Sequence, residues 1–230
     1  MAVRMELFGD WVKPDDFLMV NVNQNSRRKA VWSSLVVLAK MKSNCHRDDF
    51  NAKLLLHCPP VFDGIDLESI GRQLGLVYGV DWAHTGATWT RSNYPQWPDE
   101  KIRDLYHAAD LNITTSLGEG WGLSITESLA TGCPVAVPGH TACEWIMDRW
   151  LDGIGNGDVI GLSACTPIVV GESRIRYAVD PEAAASVIGD WRECYPSHRV
   201  PHQDAHRTWL SWGRIAKRWL ELMQIEQLAD

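Results

Sequence analysis

The run Ser116-Leu-Gly-Glu-Gly-Trp-Gly-Leu-Ser-Ile-Thr-Glu-Ser-Leu-Ala-Thr-Gly-Cys-Pro-Val135 constrains the fold of this chain more than any other segment. It reads as the end of a strand, a glycine loop, a helix and the start of the next strand. A helix between two short apolar strands calls for a parallel, right-handed crossover, so this segment implies a layered α/β fold. Gly118, Gly120 and Gly122 let the backbone pass close to a ligand. The helix that begins near Leu123 aims its free N–H groups back at the loop, an arrangement that suits an anion such as phosphate. Glu119 stands in the loop and Glu127 about one turn into the helix, with seven residues between them. Each carboxylate can accept hydrogen bonds from hydroxyl groups, at different parts of one ligand.

The rest of the chain repeats this alternation. Phe17 to Val22 is strand-like and is followed by a polar turn, then by Val31, Leu35 and Leu38 at helical spacing. Ala52 to His57 is a second strand signal, and Asp66 is a predicted N-cap for a helix over Leu67 to Leu74, with Gly75 in the stop position. Pro98-Asp99 opens a helix carrying Ile102, Leu105, Tyr106 and Ala109. Leu111 to Thr115 is a buried strand, and Pro134 to Val137 is the next. The expected fold class is α/β: a doubly wound, mostly parallel Rossmann-like sheet in which ligands bind outside the carboxyl ends of the strands. Asn23 to Lys29, Gly118 to Gly122 and Gly139-His140 all fall there. Beyond about residue 155 the pattern weakens to strand-like stretches at Ile168 to Val170 and Ile175 to Val179, then a helix from Pro181 toward Trp191. A final helix carries Trp209, Trp212, Ile215, Ala216, Trp219 and Leu222 on one face. Residues 1–15 read as an N-terminal tail, 16–200 as the ligand-binding domain and 201–230 as the C-terminal helix.

Composition removes several function classes. At 230 residues the chain supports one ordinary core, and its net charge of -7 argues against nucleic acid as a partner. No run of about 18 apolar residues is present to cross a bilayer, and Met1 to Glu6 is too polar for a secretory signal, so the chain reads as cytoplasmic. The six cysteines lack framework spacing and are expected to be reduced. Cys194, His198, His202 and His206 recur every fourth residue, but Pro196 and Pro201 interrupt any helix that could stack them, and no metal site is expected. His57 and His140 sit at strand ends and are left outside the catalytic assignment. A nicotinamide-binding domain is disfavoured, because Val20-Asn-Val-Asn-Gln-Asn lacks the glycine fingerprint after the first strand.

With the glycine loop, the glutamate pair, Gly132-Cys-Pro-Val and the basic Arg28-Lys29 after the first strand in view, the chain resembles the C-terminal, donor-binding domain of the family 4 glycosyltransferases of GT-B fold. These are retaining enzymes that use nucleotide-diphosphate sugars. The similarity runs from about Asp16 to about Trp219. It implies that Glu119 contacts hydroxyls of the transferred sugar, Glu127 the ribose hydroxyls and Lys29 the diphosphate. Glu119 and Lys29 are then the catalytic pair, and Arg28, Gln24, Gly120, Trp121, Gly122 and Leu123 complete the donor site. Trp121 is expected to pack under the loop.

The ligand implied is a UDP- or GDP-sugar type of donor, with no cofactor. Gln24 departs from the pattern, standing where the family usually has an arginine, so either Arg27 or Arg28 compensates or phosphate affinity is reduced. The residues before Asp16 are too few to encode the acceptor domain that precedes the donor domain in the two-domain enzymes, so the resemblance is to half an enzyme. Either a separate acceptor-domain chain or a second copy, meeting the tryptophan-rich terminal helix, is the implied partner. The other reading is a binding module that holds a sugar nucleotide without turnover.

Overall fold

A computed structural model describes residues 2–44, 51–86, 97–151, 158–164, 166–170, 174–194 and 211–222. In chain order the elements are α1 (Ala2–Phe8), a short 3-10 turn (Gly9–Trp11), β1 (Phe17–Asn21), α2 (Trp32–Asn44), β2 (Ala52–Leu56), β3 (Val61–Phe62) and β4 (Ile65–Asp66). They continue with α3 (Leu67–Gln73), β5 (Trp82–His84), α4 (Asp99–Ala108), β6 (Leu111–Ile113), α5 (Leu123–Ala130), β7 (Val135–Pro138), α6 (Ala142–Leu151) and β8 (Val159–Leu162). The last are β9 (Thr166–Val170), β10 (Arg174–Ala178), α7 (Pro181–Cys194) and α8 (Trp212–Leu222).

Six strands form one parallel sheet in the order β5-β2-β1-β6-β7-β8. This is the expected doubly wound arrangement. Its central strands are apolar on both sides because both sides are covered. Phe17 and Met19 of β1 join Leu35 and Leu38 of α2, Leu54 and Leu56 of β2 and Ile188 of α7 on one face. The intervening Leu18 and Val20 pack with Leu55, Leu105 and Tyr106 on the other. The strand period of two thus sends alternate residues into two cores. A third cluster, Ile125, Leu129, Val135, Val137, Cys143 and Ile146, seats α5 and α6 on β7.

Local signals behave as their chemistry requires. Asp66 caps α3, its carboxylate accepting from Ser69 N–H, and Gly75 takes the left-handed conformation at φ 73°. β6 stops at Ile113 although Thr114 and Thr115 suit a strand, because Thr115 Oγ1 donates to Ala30 O and Leu117 N–H to Arg28 O, turning the chain toward the basic segment. The edge strands β5 and β8 are short and do not stand out in the sequence: β5 has only Trp82 and Ala83 as apolar residues, and Gly161 interrupts the apolar run of β8. β9 and β10 pair antiparallel as a separate two-stranded sheet. Residues 1–15, read as a tail, hold α1, whose Arg4 donates Nε–H to Ala108 O at 2.7 Å and pairs with Asp110. Asp110 also accepts from Leu18 N–H, so α1 is tied to the second core through one carboxylate.

Cys58, Cys133, Cys143 and Cys194 carry free thiols, while Cys45 and Cys165 lie outside the described residues. Burial pushes the Cys58 thiol up to about 12, so it is inert packing. Of the expected histidine series and terminal tryptophan face, His198, His202, His206 and Trp209 lie outside the described residues. Trp219 on α8 is 59% exposed. No helix among the described residues is long and apolar enough to cross a membrane.

Candidate functional site

The turn after β1 and the loop after β6 are laced together before either meets a ligand. Leu117 N–H and Ser116 Oγ both donate to Arg28 O, and Thr115 Oγ1 donates to Ala30 O at 2.9 Å. Ala30 itself adopts φ 45°, a left-handed conformation that a non-glycine residue holds only where its surroundings fix it. Lys29 Nζ stands 2.6 Å from Glu119 Oε1, and Arg28 Nη1 3.3 Å from Glu119 Oε2 and 2.6 Å from Gly118 O. The Lys29 and Glu119 side chains are only 16% and 6% exposed. One carboxylate therefore carries two cations in a largely dry setting, where each charge-assisted bond is stronger than at the surface.

Gly122 precedes α5 at φ 85°, and a Cβ there would stand 2.7 Å from Ile125 Cδ1, so only glycine fits this entry. The first turn of α5 then presents N–H groups that have no carbonyl a turn behind them. Glu127 lies one turn further on, and Tyr106 Oη of α4 donates to its Oε2 at 3.2 Å. Burial first, and the neighbouring carboxylate second, push the Tyr106 hydroxyl well above its ordinary range, so it stays protonated and can only act here as the donor.

These elements border one cavity of about 840 Å³ at the carboxyl edge of the sheet, lined among others by Asn23, Gln24, Lys29, Glu119, Trp121, Gly122, Leu123 and Glu127. The two carboxylates and the lysine proposed from the sequence thus face one space. Arg28 and Gly120 do not line it: Arg28 wraps the outer side of the loop, and Gly120 sits exposed in the loop itself. Arg27 turns away altogether, its N–H and guanidinium bonded to Asp63, so it supplies no cation in place of the arginine that Gln24 replaces. The expectation for Trp121 is corrected. Its ring is 40% exposed at the cavity rim and leans on Trp145 at 5.6 Å instead of packing under the loop.

One lining residue, Tyr106, carries a role that the sequence reading missed, and a second, His57, is one it placed at a strand end and left outside the catalytic assignment. Tyr106 read as one more apolar position of α4, and only its hydroxyl could have hinted at a polar partner. His57 lines the cavity with its ring 4.8 Å from that of Trp97, and its Nδ1 is buried with no partner among the described residues. Burial, with Lys101 adding to it, pulls His57 down to about 4, so it is neutral at ordinary pH. His140 is structural: its Nε2–H donates to Tyr177 O at 3.0 Å, since a carbonyl can only accept. No group of metal-ligating side chains occurs among the described residues.

No profile of a known protein family matches the sequence, and no curated protein matches it. Solved structures do. Sucrose-phosphate synthase from Thermosynechococcus elongatus aligns over 96% of the chain with TM-score 0.66 and 18% identity. WaaG, a glycosyltransferase involved in lipopolysaccharide biosynthesis, aligns over 90% with TM-score 0.58 and 19% identity. OtsA aligns over 95% with TM-score 0.57 and 10% identity. The chain has the Rossmann-like fold of a GT-B domain. At such identities the likeness speaks for the fold, and this GT-B domain spans 47%, 45% and 45% of the lengths of those chains. In this GT-B domain the cavity lies where an open parallel sheet binds ligands, outside the carboxyl ends of β1 and β6.

Proposed function

We propose that this domain is the donor-binding unit of a retaining glycosyltransferase, holding a nucleotide-diphosphate sugar in the cavity between the Asn23 to Lys29 turn and α5. The single observation that carries the reading is the convergence of Lys29, Glu119 and Glu127 on one cavity at the N-terminus of α5. The diphosphate sits against the α5 N–H groups and Lys29, the ribose hydroxyls donate to Glu127, and the sugar hydroxyls donate to Glu119. UDP- and GDP-sugars are the donor class, and no metal is required because the fixed cations and helix N–H groups take its place.

In transfer, the bond between the anomeric carbon and the diphosphate oxygen breaks and an acceptor hydroxyl oxygen bonds to that carbon, its proton leaving with the diphosphate. Negative charge grows on the leaving group as the bond stretches, so Lys29 contributes more in the transition state than in the ground state. Lys29 must exchange its partner to do so. Glu119 holds it, and a diphosphate would draw it off while Arg28 remains to balance the carboxylate. The acceptor needs a second surface, supplied by another chain or by another part of a longer protein, with the cytoplasm as the compartment of reaction.

Calorimetric titration with UDP, GDP and their glucose and mannose conjugates tests this. One site is expected, weakened about ten- to a hundredfold in Glu127→Ala, since hydrogen bonds to a charged group contribute about 1.5–3 kcal/mol. Equal binding by wild type, Glu127→Ala and Lys29→Ala would refute the assignment. Hydrolysis of a bound sugar nucleotide separates an enzyme from a module that merely holds the donor.

A further inference from the structure

The cavity extends beyond its charged end. Lys29 and Glu119 stand where β1 and β6 leave the sheet, whereas His57 follows β2, one strand further out. Asp99 opens α4, the crossover helix that leads into β6 and therefore begins at the same carboxyl edge. His57 and Asp99 both border the cavity, and Trp97, two residues before Asp99, lays its ring 4.8 Å from the His57 ring. The end of β2 and the start of α4 thus meet on one cavity wall. Glu127 is tied to α4 by Tyr106, so a nucleoside whose ribose met Glu127 would have this wall beside its base.

The two side chains offer opposite halves of a hydrogen-bond pattern. His57 is neutral at ordinary pH and so carries a single N–H. Its Nδ1 is buried without a partner among the described residues, and a buried orphan N–H is rarer than an orphan lone pair, so the proton belongs on Nε2. Nε2 has no partner among the described residues and is not shut off from solvent, which makes it a donor open to the cavity. Asp99 is exposed, and its carboxylate has neither hydrogen bond nor ion pair among the described residues. The cations nearest in sequence are engaged elsewhere: Lys101 Nζ lies over the Trp97 ring, 4.1 Å from its centroid, and Arg103 donates Nε–H and Nη2–H to Asp104. Asp99 therefore presents two free acceptor oxygens.

One donor beside a two-oxygen acceptor is the complement of guanine, whose pairing edge runs from the O6 acceptor to the N1–H and N2–H donors. Uracil can give O4 and N3–H to the same pair, but its O2 then faces the second carboxylate oxygen. Adenine sets its amino group against the His57 N–H and a bare ring nitrogen against the carboxylate. We propose that His57 and Asp99 read the base of the nucleotide and select guanine, with His57 Nε2–H donating to O6 and Asp99 accepting from N1–H and N2–H, which makes the donor a GDP-sugar. This rests on the donor reading above and narrows it.

The test titrates wild type, Asp99→Asn, His57→Phe and Glu127→Ala with GDP, UDP, ADP and inosine diphosphate, which differs from GDP only in lacking the N2 amino group. Wild type is expected to bind GDP about tenfold more tightly than inosine diphosphate or UDP, and ADP more weakly still. In Asp99→Asn the amide offers one acceptor and one donor, which suits N3–H and O2 of uracil and sets N–H against N–H at guanine N2. The preference should therefore turn toward UDP, with inosine diphosphate binding at least as tightly as GDP, and such a reversal also shows that the variant is folded. His57→Phe should weaken GDP about fivefold and leave the ratio of GDP to inosine diphosphate unchanged. Equal binding of GDP and UDP by wild type would overturn the proposal, as would a uniform shift of all four nucleotides in Asp99→Asn, the result of a merely structural role. If Glu127→Ala still weakens every nucleotide in that case, the donor reading stands without the guanine assignment. No binding of any of the four would overturn both.

Discussion

Lys29 Nζ and Glu119 Oε1 stand 2.6 Å apart, closing an ion pair between the turn after β1 and the glycine loop, and Arg28 shares the other carboxylate oxygen. The pair is unequal because Glu119 has two cations and Lys29 has one carboxylate. Removing Glu119 leaves two cations facing each other in a half-dry site, whereas removing Lys29 leaves the carboxylate still neutralised by Arg28. Glu119→Gln is therefore expected to lower unfolding stability by about 3 kcal/mol and Lys29→Met by about 1 kcal/mol, measured by urea denaturation. Equal losses would show that Arg28 gives the carboxylate no support. Pyrophosphate should restore more stability to Glu119→Gln than to wild type, since an anion then replaces the lost charge.

Tyr106 positions Glu127, the hydrogen-bond partner of its hydroxyl among the described residues. Tyr106→Phe removes the 3.2 Å bond and keeps the buried ring, so stability should change by less than about 1 kcal/mol. Nucleotide affinity should fall about three- to fivefold, short of the loss in Glu127→Ala, and in the double variant Tyr106→Phe should cost nothing further. An additive loss in that double variant would mean the hydroxyl contacts the ligand itself.

Gly120 and Gly122 differ in what a side chain would meet. A Cβ at Gly120 meets nothing within 4 Å, and Gly120 does not border the cavity, so Gly120→Ala should leave thermal stability within about 0.5 kcal/mol and nucleotide affinity unchanged. At Gly122 the positive φ and the Ile125 contact both oppose a side chain, and Gly122→Ala should destabilise by about 1–3 kcal/mol. Equal melting temperatures for the two variants would contradict the geometry of the α5 entry.

His57 makes stability depend on pH. Its folded value, about 4, lies below the ordinary 6.5, so at intermediate pH the unfolded chain binds the proton more readily than the folded one. Its contribution is complete above pH 6.5 and is lost as pH falls toward 4. The loss should be about 2 kcal/mol after allowance for the ring's partial exposure. Denaturation curves between those limits should flatten in His57→Gln, and an unchanged slope would place the proton uptake elsewhere.

Much of the fold is legible in the residues because it follows from local periods. Phe17 to Val22, Ala52 to His57 and Pro134 to Val137 read as strands because a doubly covered parallel strand must be apolar throughout. Asp66, Gly75 and Pro98 punctuate helices through their own backbone chemistry. β5 was not legible because only Trp82 and Ala83 are apolar, and β8 because Gly161 interrupts its apolar run. The end of β6 was read two residues too far because Thr114 and Thr115 suit a strand; Thr114 N–H still donates to Ala136 O of β7, and it is the Thr115 bond to Ala30 O that turns the chain away.

The sequence by itself determined the alternating α/β fold, since strand and helix periods act locally, and with it the expectation that the Lys29 turn and the Glu119–Glu127 segment share the carboxyl edge of the sheet. Only the tertiary structure decided that Arg27 faces Asp63 while Arg28 wraps Gly118, and that Tyr106 holds Glu127. Neighbouring arginines have the same local propensities. Which carboxylate or carbonyl each one meets depends on where the sheet order delivers the other partner, and no short-range signal encodes that distance.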